Sequence, residues 1–313
     1  MVGNFLPLSL PALSQAVSRR SSLIIKALQK VKNPDWVIGH NPGALWPALK
    51  AAKRFNCNVG FDVEDYHPGE GNNQKLQALT SKLMLSLLPG CNYVSFAAPL
   101  IMQKLEQEIT GNTSNWFTVM NYFPVLEFQE PSLNHSEKIT LVWFSQNISA
   151  GRGLELVLPF IKQHNSIMEL HLIGNPDQAF FEGHLKGNAN IVLHAPVSQQ
   201  ELHQLLGKFD IGLALDIPVD VNRDLVITNK ILAYLQAGLY VVASNTAAQG
   251  SFLNDYPEHG VCFNYQTNDS GNVLQDVIQQ IAVIRDGKVA RYKSFKNNNW
   301  EMTSLKLLSH WDN

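Results

Sequence analysis

The chain has 313 residues, 45% of them hydrophobic, enough to bury the cores of about two domains of roughly 150 residues each. A formal net charge of −2 argues against broad electrostatic capture of nucleic acid. Its three cysteines, Cys57, Cys91 and Cys262, stand in apolar contexts without C-x-x-C spacing, which points to reduced thiols in the cytosol.

No apolar run approaches the roughly 18 residues that span a bilayer. The opening stretch NFLPLSLPAL has no basic segment before it and carries Pro7 and Pro11, so it reads as a loop or a short packing segment. From Ser21 helical and strand patterns alternate. SSLIIKALQKV has helical spacing and stops at Asn33-Pro34. DWVIGH reads as a strand, residues 44–55 as a helix whose alanines allow close approach to a sheet, and NVGFDVED as a strand ending in carboxylates. A helix over 74–88, the strand NYVSFA, the helix PLIMQKLEQEIT and the strand-like WFTVMNYF follow.

The polar, proline-containing stretch from Leu126 to Lys138 is the best linker. It divides the chain into an N-terminal domain over 1–130, a connection over 131–138, a C-terminal domain over 139–295 and a last helix over 296–313 that packs back on the N-terminal domain. Beyond the linker come ITLVWFSQ (strand), GLELVLPFIKQH (helix), MELHLIG (strand), a short helix over 177–186 and NIVLHAP (strand). SQQELHQLLGK opens with a capping box, Ser198 and Glu201. FDIGLALD, the helix NKILAYLQA, LYVVAS and GVCF follow, with helices over 272–286 and 299–311. This alternation predicts an α/β fold: in each half a Rossmann-like parallel sheet with helices on both faces and ligands at the carboxyl ends of the strands.

Four places carry chemistry. In Gly151-Arg152-Gly153 the glycines permit a tight turn before a helix N-terminus, and the arginine offers a fork matched to phosphate oxygens. Thr228 is placed to cap a helix starting at Asn229, with Lys230 in its first turn and Gly238 at its end, an arrangement suited to an anion. The same window also fits a solvated surface lysine. FDVEDYHPGE gathers Asp62, Glu64, Asp65, His67 and Glu70 after a strand, a density suited to orienting and deprotonating a hydroxyl, or simply a polar turn. His40 ends the preceding strand. The HAPVSQQEL corner around Val197 is a strand-to-helix turn with no side-chain signature of its own.

The run TNKILAYLQAGLYVVAS resembles the donor-side signature of family-4-type glycosyltransferases, "(P/N)-K-(I/L)-x-E-Y-x-x-A-G-x-P-V-V-A-S", and FDVEDYHPGE is similar to the "D-x-E-D-(F/Y)-H-x-G-E" loop of bacterial polysaccharide-type glycosyltransferases. The resemblance covers the chain from about Asp35 onward. It implies the GT-B fold of two Rossmann-like domains and a hexosyltransferase. Such an enzyme moves sugar, with retention and without a metal, from a nucleotide diphosphate sugar to a glycan or lipid-linked acceptor in polysaccharide or cell-envelope synthesis. No further cofactor and no nucleic-acid partner are implied; the location is cytoplasmic, with peripheral association at the inner face of the membrane left open. Arg152, Lys230, Glu64 and His67 would be catalytic. Asn147, Gly151, Val197, Arg223, Thr228 and Asn229 would bind donor, and His40, Asp62, Asp65 and Glu70 would face the acceptor.

Two departures matter. The family's Glu-x7-Glu pair falls on Leu225 and Ala233, with Asp216, Asp220 and Asp224 nearby as substitutes. The usual opening strand, glycine loop and helix are not found before Ser21; at ~30 residues per βαβ-sized unit, about 60 residues of the N-terminal domain are expected to be missing. These departures also fit a non-catalytic nucleotide-sugar binder, and a sugar-nucleotide 2-epimerase would share the fold.

Overall fold

The structure is a computed structural model that describes residues 8–311. By packing, the chain divides into two units. The first comprises the chain up to Met120, Val219–Val226 and the residues from Lys306; the second comprises Asn121–Pro218 and Ile227–Leu305.

The first unit holds a four-stranded parallel sheet: β1 (Trp36–His40), β2 (Asn58–Val63), β3 (Tyr93–Phe96) and β4 (Trp116–Thr118), in that spatial order. The predicted alanine face of helix Pro42–Phe55 is buried through Ala48, Ala51 and Ala52, and Asn56 ends the helix in the left-handed conformation (φ 53°). A Cβ on Gly60 would lie 2.3 Å from the Tyr93 ring, so only glycine there lets that ring cross β2. WFTVMNYF, expected to be a strand throughout, pairs only over Trp116–Thr118. Its partner β3 ends at Phe96, opposite Thr118, and the last ladder contact is the Val119 N–H donated to the Phe96 carbonyl.

The opening stretch, expected as a loop or short packing segment, is a helix over Leu10–Val17 that buries Leu13 and Ser14; residues 4–7 of it lie outside the described residues. A second helix, Ser21–Leu28, is joined to it by Ser14 Oγ donating to Ser21 Oγ (3.0 Å). Ser21 Oγ in turn donates to the Gly43 carbonyl (2.6 Å).

The second unit is a six-stranded parallel sheet of β5 (Ile139–Ile148), β6 (Met168–Pro176), β7 (Ile191–His194), β8 (Ile211–Ala214), β9 (Tyr240–Ser244) and β10 (Gly260–Phe263). Its spatial order is β10-β9-β8-β5-β6-β7. The chain moves outward from β5 to β7, then returns to the other side of β5, so the order reverses between β5 and β8. Trp143, Leu170, Leu172, Leu213 and Val242 from the strands meet Leu154, Val157, Leu158 and Leu274 from helices Leu154–Gln163 and Ser270–Gln279 in one core.

On the same sheet Tyr234, the tyrosine of the signature, is fully buried in helix Asn229–Gln236. It lies across Gly212, where a Cβ would be 2.2 Å from its ring, and its hydroxyl donates to the Val142 carbonyl at 3.2 Å. That tyrosine therefore packs helix to sheet. Gly238 adopts the expected left-handed φ of 78°, and the Ser198–Glu201 capping box is formed.

Helices Val221–Leu225, Ala247–Asn254 and Lys288–Phe295 were not anticipated, and the stretch 272–286 is two helices, Ser270–Gln279 and Ile281–Asp286. Lys288–Phe295 escaped a periodicity reading because it buries charge. Lys288 Nζ donates to the Gly207 carbonyl (2.7 Å), burial pushes the Lys288 ammonium down to about 8, and Arg291 donates to the Gly238 and Ile284 carbonyls. No helix among the described residues is long and apolar enough to cross a membrane.

Candidate functional site

In an open parallel sheet, ligands bind beyond the carboxyl ends of the strands where the order reverses. In the second unit that place lies between β5 and β8, and the predicted glycine loop is there. β5 carries a register shift between Phe144 and Asn147, pressed against Gly174, where a Cβ would lie 1.9 Å from the Ser145 carbonyl oxygen. Gly151 (φ 74°) and Gly153 (φ 84°) are both left-handed. A Cβ on Gly153 would sit 2.8 Å from Leu215 Cβ, just past the end of β8, so the loop closes directly over the reversal.

Glu155, in the first turn of the following helix, accepts the Gly151 N–H at 2.5 Å, while its other carboxylate oxygen is buried without a partner. Arg152 is half-buried and donates from Nη2 to Ser145 Oγ (3.2 Å), which ties the guanidinium to β5; Asn147 lies two residues further along the strand. Lys230 occupies the first turn of helix Asn229–Gln236, its Nζ 5.4 Å from the Trp143 ring centroid and 5.9 Å from that of Phe144. Both aromatic residues belong to β5, so Arg152 and Lys230 stand on the same strand end.

Thr228 occupies the N-cap position, but its hydroxyl does not cap the backbone. It donates instead to Gln249 Oε1 (3.2 Å). Gln249 Nε2 donates to the Ser244 carbonyl (3.0 Å) and to Ser244 Oγ (3.2 Å), and Ser244 Oγ accepts the Asp216 N–H (2.8 Å). This chain of bonds ties the ends of β8 and β9 to the start of the Lys230 helix. Sequence reasoning missed Gln249, although Thr246-x-x-Gln249 has capping-box spacing and Thr246 does accept the Gln249 N–H. Val197 is 39% exposed at the corner beyond β7. Ala233 is fully buried inside its helix and brings no polar group to the site.

Arg223, grouped with Lys230 in the sequence reading, belongs to the first unit. Asn222 Nδ2 donates to Asp65 Oδ1 (2.9 Å) and Asn222 Oδ1 accepts the Tyr66 N–H (2.6 Å). Asp220 is likewise committed: its two oxygens accept the Arg223 and Gly71 N–H groups at 2.9 and 2.7 Å. Asp65 thus anchors the Val219–Val226 segment, and Asp220 is spent on backbone donors; Asp216 follows the end of β8 in the second unit. Asp224 lies beside Arg223 in the short helix.

The acceptor-side residues meet at the strand ends of the first unit. His40, Asp62 and Ser95 are register partners on β1, β2 and β3 and form a row across the sheet. Ser95 Oγ donates to Asp62 Oδ1. Asp62 Oδ2 lies 3.2 Å from His40 Nδ1, and Glu64 Oε1 lies 3.6 Å from the same nitrogen. His67 Nδ1 is 2.8 Å from Glu70 Oε2. His40, His67 and Glu70 line one cavity of about 730 Å³, together with Arg20, Asn41 and the first turn of helix Pro42–Phe55; Asp62 and Glu64 touch His40 from outside that lining. With Nδ1 turned to carboxylates, each imidazole keeps Nε2 for a hydroxyl group. Ser95, a polar residue inside an apolar strand, was visible in the sequence but not its partner.

No family model matches the chain, and no curated protein matches it in sequence. Solved structures do match in fold. HepE of Anabaena, in complex with UDP, superposes with a TM-score of 0.74 at 13% identity over 95% of this chain and 84% of its own. Sucrose-phosphate synthase of Thermosynechococcus elongatus gives 0.72 at 13% identity over 100% of this chain and 81% of its own. A variant of S. aureus TarM, in complex with fondaparinux, alpha-GlcNAc-glycerol and UDP, gives 0.67 at 12% identity over 94% of this chain. The chain spans 59% of the length of TarM. The two helix-flanked parallel sheets are thus those of the GT-B fold.

Proposed function

We propose that the protein is a retaining hexosyltransferase of the family-4 type. It moves sugar from a nucleoside diphosphate sugar to a glycan or lipid-linked acceptor in polysaccharide or cell-envelope synthesis, on the cytoplasmic side. The observation that carries this reading is the placement of the Gly151–Gly153 turn, Arg152 and Lys230 at the strand-order reversal of the second unit. Two cations and a helix N-terminus there offset the charge that builds on a departing diphosphate, the kind of fixed stabilisation that dominates many enzymes. UDP is the first ligand to try, since HepE and TarM are both solved with it. The row of His40, Asp62 and Ser95, with His67 and Glu70, supplies polar groups for an acceptor hydroxyl.

The charge neutralisation is supplied by side chains, so transfer is metal-independent on this reading. Calorimetric titration of the full chain with UDP, and hydrolysis or transfer from UDP-sugars with and without EDTA, test it. Absence of UDP binding refutes the donor assignment, and loss of transfer in EDTA restored by Mn²⁺ refutes metal independence. Burial of Ala233 where the family carries a carboxylate favours a second reading, a binder without turnover. It predicts UDP-sugar binding with no product under any acceptor.

A further inference from the structure

Five of the chain's 24 basic residues and none of its 26 acidic ones lie in the first 34 residues. The structure gathers four of these cations along one short helix and its flanking turns. Arg19 and Arg20 precede helix Ser21–Leu28, Lys26 lies in its last turn, Lys30 follows in the turn that continues it, and Lys32 stands just beyond. All five are exposed, and none is ion-paired among the described residues. Positions 19/20, 23, 26/27 and 30/31 recur at helical spacing, so Leu23 (62% exposed) and Val31 (41% exposed) stand between the cations on the outward face. The inward face is anchored by Ser21, 1% exposed, whose hydroxyl donates to the Gly43 carbonyl.

We infer that this face docks on an anionic lipid surface. Cations alone would suit any polyanion. Here apolar side chains are interleaved with them and no aromatic residue lies between Leu8 and Asp35 to stack on a base, which is the pattern of an interfacial helix. The rest of the chain carries all 26 acidic residues, so an anionic surface repels it while attracting this end. The same segment contributes Val17, Ser18, Arg20 and Ile24 to the wall of the 730 Å³ cavity. Resting on the transferase reading, this selects the lipid-linked class of acceptor: a head group anchored in the bilayer would reach the cavity beside the helix that touches the membrane.

The test is co-sedimentation of the full chain with phosphatidylcholine vesicles, with and without phosphatidylglycerol, at low and high salt. Binding should require phosphatidylglycerol and weaken at high salt. Lys26→Glu with Lys30→Glu should reduce it by roughly tenfold or more, and Leu23→Asp should reduce it as well. Equal binding to neutral vesicles, indifference to the charge reversal, or tighter binding to duplex DNA or RNA than to the vesicles would overturn the inference. UDP titration of the same variants serves as the folding control. Vesicle binding without UDP binding would remove the transferase reading and leave this one; UDP binding without vesicle binding would do the reverse.

Discussion

Replacing Arg152 with alanine should weaken UDP far more than uridine. The guanidinium sits on a turn fixed by two left-handed glycines and is already aligned by its 3.2 Å bond to Ser145 Oγ, so little ordering cost remains when a diphosphate arrives. A hydrogen bond to a charged group is worth about 1.5–3 kcal/mol. Arg152 is only half-buried, which places its loss in the lower half of that range. At about 1.4 kcal/mol per decade, that corresponds to roughly ten- to fortyfold in Kd. Within the fold its side chain donates to one hydroxyl, so stability should change by about 1 kcal/mol at most. Titration calorimetry on the full chain with UDP and with uridine reads the difference, and Arg152→Lys should fall between, since a point charge lacks the planar fork. Unchanged UDP affinity, or equal weakening of both ligands, would refute the diphosphate assignment.

Gly153→Ala must carry a side chain at φ 84° and push a Cβ to 2.8 Å from Leu215; strain and overpacking together cost on the order of 2–4 kcal/mol, visible as a Tm lower by roughly 5–15 °C in a thermal scan. His67→Ala and Glu64→Gln should lower transfer while leaving UDP affinity as it was, because both residues belong to the first unit and the diphosphate groups to the second; a loss of UDP binding in either variant would contradict that division. His203 is buried against Phe128 and Phe123 with Nδ1 2.6 Å from Glu127. Burial, partly opposed by Glu127, lowers its pKa below the ordinary 6.5. The unfolded chain therefore takes up a proton that the folded one refuses, so stability is full above about 6.5 and declines as the pH falls below it. His203→Phe removes that loss. The Tm difference between wild type and variant should shift in favour of the variant between about pH 7.5 and 5.5, and a constant difference would show that His203 does not resist protonation in the fold.

Features governed by a few neighbouring residues were legible in the sequence. The Ser198–Glu201 box, the left-handed Gly238 and the strand–turn–helix around Gly151–Gly153 depend on chemistry within one or two turns of chain, and alternation of apolar runs was sufficient for an α/β fold. Thr228 shows where local chemistry stops. Its hydroxyl could cap its own helix, but Gln249, 21 residues away, offers an acceptor at 3.2 Å.

Register and strand order belong wholly to tertiary structure. Nothing near His40, Asp62 or Ser95 in sequence says that they are neighbours on three strands. Their alignment follows from where each helix returns the chain to the sheet. The Val219–Val226 segment reads as part of the donor half because it adjoins the signature, yet Asn222 and Asp220 bind the backbone of Tyr66 and Gly71, more than a hundred residues earlier. The reversal between β5 and β8 is of the same kind. Composition and periodicity determine that strands and helices alternate, while the candidate site arises because two strands distant in sequence, β5 and β8, pack side by side and bring their carboxyl ends together.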